Sequence, residues 1–187
     1  KFGSHNAAAL RSLHWTCDVL APCFKELLKS GGPIALAPIM NEALSMGDDL
    51  HIRTQSAGLL LMKELLVRSR RSPVDALRGI VTWGLRHNKQ HFLNFAMAAC
   101  KLAGDRASGT EGSGIVTAIT RNGVEAGIKI AAFPDKWFTA PAPPIDGVYV
   151  DEYEAQDASL DMGDSAIMEA LGFGGSILAV SPALSHG

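Results

Sequence analysis

The hydrophobic repeat of this chain changes period near residue 104, and only a fold with two textures accommodates that change. Before it, apolar residues recur at helical spacing: Leu10, Leu13, Cys17, Leu20, Phe24, Leu27 and Leu28 within residues 7–29. Ile39, Leu44, Leu50, Leu59, Leu60, Met62 and Leu66 continue the pattern after Pro38. Pro22 is expected to kink or divide the first stretch, Gly31-Gly32 to end it, and Gly47 to break the second. Ser72-Pro73 opens a further helix to about Arg86, and another runs from about Lys89 to Leu102 with Gly104 as its stop. Residues 104–114 hold four glycines and read as a loop. Residues 114–120 then alternate and are β-branched, Asn122-Gly123 is a two-residue hairpin signal, and residues 124–132 form the return strand. Prolines frame an extended piece at 137–139, residues 164–171 read as a short helix ended by Gly172, and residues 176–180 suit strand or helix. The expected fold is α+β. A helical subdomain over 1–104 precedes a small α+β subdomain over 105–187 built on a β-hairpin.

Composition narrows the function classes. Of 187 residues, 47% are hydrophobic and only 19% charged, which argues against disorder, collagen and coiled coil. No apolar run approaches the roughly 20 residues of a membrane span. The net charge of -2 hides a lopsided distribution: residues 1–136 are near +6, and the rest, with eight acids and no Lys or Arg, near -8. Such halves suit mutual docking as well as an outside partner. The densest basic cluster, Arg68, Arg70 and Arg71, lacks interleaved aromatics and any RNA-binding or zinc-finger signature, so no nucleic-acid partner is expected. Three cysteines without a C-x-x-C fit buried thiols in a reducing, cytoplasmic setting. No secretion signal opens the chain. It starts at Lys1 and stops after an apolar run, as expected of a fragment of a longer protein.

Ionisable residues cluster in a few places. If residues 46–53 are helical, Asp48, His51 and Gln55 share a face, and Asp49 and Arg53 stand four apart. Functionally, a carboxylate would orient His51 while Arg53 holds an anion through two parallel hydrogen bonds. The plainer alternative is a solvated face, and spacing alone favours it. His87 and His91 could share a metal, but no third ligand is near, so capping or surface roles are expected and no metal is assigned. Turn geometry accounts for Asn122-Gly123, with positive φ expected at both, yet leaves Arg121 unexplained and available as an anion clamp. Asp135, Lys136, Trp137 and Phe138 form a loop that could line a site or plug the core. Asp164 and Ser165, with the glycine-rich turn at 172–175, could present backbone N–H groups to an anion, although the acids at 161 and 164 oppose direct contact. A cap followed by a turn explains these residues as well, and P-loop, G-x-G-x-x-G and G-x-S-x-G patterns are missing.

Five phrases, taken in order, carry a resemblance. They are Met46-Gly47-Asp48-Asp49-Leu50-His51-Ile52-Arg53, then His91-Phe92-Leu93-Asn94-Phe95-Ala96-Met97-Ala98-Ala99-Cys100-Lys101, then residues 112–127 around Arg121-Asn122-Gly123. Asp135-Lys136-Trp137-Phe138-Thr139-Ala140-Pro141-Ala142-Pro143 and Met162-Gly163-Asp164-Ser165-Ala166-Ile167 complete the set. Together they resemble the bacterial AllG family of YlbE and YahG type, whose members are considerably longer. The resemblance implies a subunit of oxamate carbamoyltransferase, which converts oxalurate and phosphate to oxamate and carbamoyl phosphate in purine and allantoin degradation. It also implies an FdrA-type partner that looks like an acyl-CoA synthetase. Ile52 and Thr54 depart from the Asn expected in the family pattern, and Lys136 from the expected Arg.

Carbamoyl transfer between small carboxylate and phosphate anions needs cations and N–H donors aimed at developing charge, plus one proton-transfer group. His51 is the candidate proton carrier and Asp48 its orienter. Arg53, Arg121, Asn122, Lys136, Asp164 and Ser165 are the candidate substrate contacts, and no cofactor is required. A non-catalytic assembly module docking the synthetase-like partner is the alternative, and a small-molecule sensor a third. Convergence of these residues in one cleft favours the enzyme, whereas scatter over the outside favours the module. The low charged fraction also predicts apolar surface patches and self-association of the 187-residue chain in an oligomer. Light scattering at high concentration checks this, and a clean monomer would count against it.

Overall fold

The computed structural model describes residues 6–69, 75, 78–80, 83–84, 90–146, 149 and 153–177. Helix α1 (Ala7–Trp15) is capped by the Asn6 side chain, which accepts the Ala9 N–H at 3.0 Å. It runs through a π-helical turn, Thr16–Leu20, into α2 (Ala21–Gly31), with Pro22 in the first turn of α2. Proline lacks an N–H and crowds the carbonyl four residues back. The wider turn, in which Ala21 N–H reaches the Thr16 carbonyl, accommodates it without breaking the helix. Gly32 (φ 74) ends α2, and Arg68 donates to the carbonyls of Gly31 and Gly32 while pairing with Glu64 at 2.8 Å. Arg68 of the basic cluster is thus spent on a helix C-terminus.

The second helical stretch is two helices, α3 (Leu36–Ser45) and α4 (Gln55–Ser69). The ionisable stretch at 46–53 is therefore not part of a long helix. It is a loop, entered at Gly47 (φ 97), and the helical pairings of Asp48 with His51 and Asp49 with Arg53 do not apply. The helix expected after Ser72-Pro73 starts outside the described residues, though Asp75, residues 78–80, Trp83 and Gly84 are helical. Helix α5 (Phe92–Ala107) passes straight through Gly104. The stop lies later, at Ser108 and Gly109 (φ 84). Gly104 is buried because the helix crosses strand β1 there: a Cβ would stand 2.2 Å from the Thr117 carbonyl oxygen.

The second texture is a four-stranded antiparallel sheet in the order β3-β2-β1-β4. Strands β1 (Val116–Asn122) and β2 (Glu125–Ile130) form the expected hairpin, with Arg121 opposite Ala126. Its turn differs in detail, since only Gly123 takes positive φ (84). Asn122 ends β1, and its side-chain oxygen accepts the N–H groups of Val124 (2.9 Å) and Glu125 (2.7 Å). The proline-framed piece is strand β3 (Phe138–Pro141), paired to β2. Strand β4 (Met162–Gly163) pairs with the far edge of β1 and leads into a one-turn helix, α6 (Ile167–Ala170).

Leu27, Leu50, Leu61, Leu65, Ile80, Phe92, Ala96 and Cys100 form a core in the helical part. Ile167 and Met168 of α6 belong to the same cluster, which ties the end of the sheet to the helices. Leu10, Leu13, Leu59 and Val67 remain more than half exposed. Among the described residues no helix is long and apolar enough to cross a membrane.

All three cysteines are free, with Cys23 and Cys100 buried and Cys17 exposed. Burial pushes the Cys100 thiol up to about 11, and burial followed by the Asp75 charge raises Cys23. A neutral thiol held in the folded state favours folding below pH 9, and that contribution is lost as pH rises from 9 through 11. Cys17 is accordingly expected to alkylate first at neutral pH and Cys100 only on unfolding, as mass spectrometry of the labelled peptides will check. Gly104→Ala is expected to push α5 off β1 and cost about 1–3 kcal/mol, seen as a lower Tm of the complete protein.

Candidate functional site

The loop between α3 and α4 is organised by two neighbouring buried acids. Asp48 turns forward, and its carboxylate accepts the N–H groups of Ser56 (3.2 Å) and Ala57 (2.8 Å) in the first turn of α4. Those donors have no partner within the helix, so Asp48 acts as its cap. Asp49 serves the loop itself, and one oxygen accepts the N–H groups of His51 (2.7 Å), Ile52 (2.8 Å) and Arg53 (2.9 Å). Between them and the histidine, Leu50 adopts φ 62 with its side chain fully buried. A bulky residue in this region is strained and persists only where its surroundings over-determine it. The core contact of Leu50 and the carboxylate of Asp49 supply that determination, and together they aim His51 outward from the loop.

The imidazole meets residues from the far end of the chain. Its Nε2 lies 2.7 Å from Ser165 Oγ, 114 residues away in sequence. Its Nδ1 faces Glu169 Oε1 at 3.5 Å. Gly174 (φ 61) closes the back of the ring: its N–H donates to the Asp49 carbonyl at 2.8 Å, and a Cβ there would fall 2.8 Å from Nδ1. Only glycine fits such an approach at this φ.

Arg121 joins the same group. Its Nε is 2.8 Å from Asp161 Oδ2, and its Nη2 is 3.7 Å from the second oxygen of Glu169. Strand pairing positions these residues, because Arg121 sits opposite Gly163 and Gly123 N–H donates to the Asp161 carbonyl at 3.2 Å. Glu169 therefore bridges His51 and Arg121. Ser165, His51, Glu169, Arg121 and Asp161 form one partly buried polar cluster where the loop, β1, β4 and α6 meet.

Of the expected site residues, this cluster unites His51, Arg121 and Ser165. Asp48 is adjacent in the chain but spends its carboxylate on α4, and the acid facing the ring is Glu169. Arg53 is anchored by its backbone, with the residue itself exposed. Asn122 holds the hairpin turn. Lys136 lies over the Phe138 ring, 4.6 Å from its centroid, on the β3 side of the sheet. Asp164 lines a separate recess of about 280 Å³ with Lys101, Thr120, Lys129 and Trp137. Glu169 and Asp161 of the cluster are not among the expected residues, since neither stands at a telling spacing from His51 or Arg121. The only sequence signal was their place beside the Asp164-Ser165 phrase.

His87 of the proposed histidine pair lies outside the described residues, and His91 packs against Trp83 with ring centroids 4.2 Å apart. Among the described residues no group of three His, Cys, Asp or Glu could hold a metal. An imidazole with a hydroxyl at one nitrogen and a carboxylate facing the other is an arrangement capable of proton transfer.

Residues 1–165 match the family described as oxamate carbamoyltransferase subunit AllG, a span that includes His51, Arg121 and Ser165. Two curated relatives from Escherichia coli (strain K12) are similar over nearly the whole chain. The uncharacterized protein YahG is 34% identical over 98% of the chain and 39% of its own length. The oxamate carbamoyltransferase subunit AllG is 35% identical over 100% of the chain and 45% of its own length. The chain thus spans less than half the length of either. A crystal structure of a conserved protein of unknown function from Enterococcus faecalis V583 superposes with a TM-score of 0.85 at 33% identity, covering 98% of this chain and 44% of that one.

The two acids predict different costs. Asp48→Ala removes a cap and should destabilise the complete protein by about 1–2 kcal/mol. Asp49→Ala leaves three part-buried N–H groups without their shared acceptor and should cost more, about 2–3 kcal/mol. Paired thermal or denaturant unfolding checks the order.

Proposed function

The chain belongs to the AllG family of oxamate carbamoyltransferase subunits, and from that premise we propose that it carries part of the site for carbamoyl transfer between small carboxylate and phosphate anions. The reaction is that of oxalurate and phosphate going to oxamate and carbamoyl phosphate. The observation that carries the reading is the meeting of His51 with Ser165, 114 residues away, and with Glu169 and Arg121; His51, Arg121 and Ser165 lie inside the family-matched segment, and Glu169 stands just beyond it. A merely structural loop has no need to aim an imidazole, through a strained residue, at a hydroxyl and a carboxylate.

In this reading His51 carries the proton that the leaving amide must gain. Asp48 acts by fixing its loop against the helix it caps. Arg121 supplies the planar fork that suits a carboxylate or phosphate, and an incoming anion would share or displace Asp161 and Glu169. Arg53 lies two residues from His51 and is the nearest further cation in sequence. Lys136, Asn122 and Asp164 are proposed to act from the hairpin side, once the remaining parts of the protein and its FdrA-type partner complete the cleft. The setting is a cytoplasmic oligomeric complex.

The exposed Leu10, Leu13, Leu59 and Val67 favour a second reading, in which the chain is an assembly module whose helices dock that partner. The two separate on variants of the complete protein assembled with its partners and assayed for carbamoyl phosphate. His51→Asn is expected to lower kcat by about 10²–10⁴-fold, the range of a lost proton-transfer group, with assembly intact. Arg121→Lys is expected to weaken oxamate or phosphate binding by about 1.5–3 kcal/mol, and the fold should survive because Asn122 and Gly123 hold the turn. Unchanged rates in both variants would leave only the assembly module.

A further inference from the structure

We propose that Ser165 is a nucleophile that carries the carbamoyl group as a covalent ester, so that the transfer is a double displacement. The proposal rests on the carbamoyltransferase reading above. Its basis is the order of groups in the cluster. Ser165 Oγ sits 2.7 Å from His51 Nε2, while Glu169 faces Nδ1 from the other side at 3.5 Å. An N–H at Nδ1 directed to the carboxylate leaves the Nε2 lone pair facing the hydroxyl, the arrangement that activates a serine.

Each part is held from behind. Gly174 backs the imidazole, Asp49 holds the backbone at 51–53, and Arg121 faces the other oxygen of Glu169 at 3.7 Å. The partly open setting, with His51 and Glu169 side chains 19% and 28% exposed, leaves the group within reach of a small substrate. Direct attack by phosphate would need the base turned toward the phosphate. Here its free nitrogen already has a hydroxyl partner.

The steps balance. Ser165 Oγ attacks the carbamoyl carbon of an N-carbamoyl amide such as oxalurate, and His51 Nε2 takes the hydroxyl proton. The tetrahedral intermediate collapses with cleavage of the carbon–nitrogen bond, and His51 returns that proton to the departing nitrogen of oxamate. A monohydrogen phosphate oxygen then attacks the carbamoyl-serine, and its proton passes through His51 to Oγ as the ester bond breaks. Carbamoyl phosphate leaves and the serine is restored. Glu169 is a positioning residue, which acts only through the ring.

The test uses the complete protein with its partner subunits. Wild type is incubated with labelled carbamoyl phosphate and no acceptor, quenched in acid and digested. Label is expected on the peptide holding Ser165, absent in Ser165→Ala, and initial rates are expected to give the parallel lines of a double displacement. Ser165→Ala should lose about a hundredfold or more of kcat. A fluorophosphonate, which modifies activated serines whatever the substrate, should label Ser165 in wild type. It should label more slowly in His51→Asn and Glu169→Gln, with partial rescue in Glu169→Asp.

Intersecting rate lines, no adduct and a Ser165→Ala rate within about tenfold of wild type would overturn the nucleophile. A simultaneous loss of rate in His51→Asn would keep the broader site. If the wild-type complex makes no carbamoyl phosphate while the fluorophosphonate still labels Ser165, the reaction assignment fails and the activated serine remains. If neither occurs, both fail.

Discussion

A carboxylate taken out of water must be surrounded by donors, and two such groups side by side dictate the shape of everything near them. Asp48 and Asp49 are nearly inaccessible, and all the donors recorded for them are backbone N–H groups of the next nine residues. The chain must therefore wrap around both acids, first Asp49 and then Asp48, and the wrap leaves Leu50 with a left-handed backbone. The strain at Leu50 is of order 1–3 kcal/mol by analogy with other such residues. It is offset by the burial of the leucine and by hydrogen bonds to charged acceptors, which are among the stronger kind. The backbone of His51 takes its position from this arrangement, and its ring then meets Ser165 and Glu169.

The sheet reaches the helices through two contacts of different character. Gly104 and the Thr117 carbonyl bring α5 and β1 together backbone to backbone, with no side chain between them. Ile167 and Met168 insert from the far side into the helical core. Because α6 is a single turn, its apolar face and its polar face lie only a residue or two apart. The same four-residue helix thus anchors the sheet with Ile167 and Met168 and presents Glu169 to His51 and Arg121. Packing and chemistry are coupled there by geometry alone.

Much of the architecture was legible in the residues because local signals decided it. The change of period, the Asn122-Gly123 turn, the proline-framed strand and the short helix after Asp164 all depend on neighbours within a few positions. Where the reading went astray, a distant contact had overruled a local rule. Gly104 looks like a helix stop, yet a crossing strand explains it. Residues 46–53 continue a helical apolar pattern, yet Leu50 reaches the core from a loop. The site followed the same division. His51, Arg121 and Ser165 stood out by chemistry and family resemblance, whereas Glu169 and Asp161 acquire meaning only once β4 pairs with β1. Asp48 is expected to orient His51 from a shared helical face, but its partners are amides that no sequence pattern displays.

Gly174 gives the last of these long-range contacts a temporal meaning. The histidine is synthesised together with its loop and both flanking helices, and these local contacts can form as the chain emerges. The hydroxyl and carboxylate that face it come more than a hundred residues later. The glycine that backs the ring and bonds to Asp49 comes later still. A ribosome that stalls before this turn would release a chain whose helices can pack but whose polar cluster is open on one side. The polar cluster thereby closes only after the helices that carry His51 have been made.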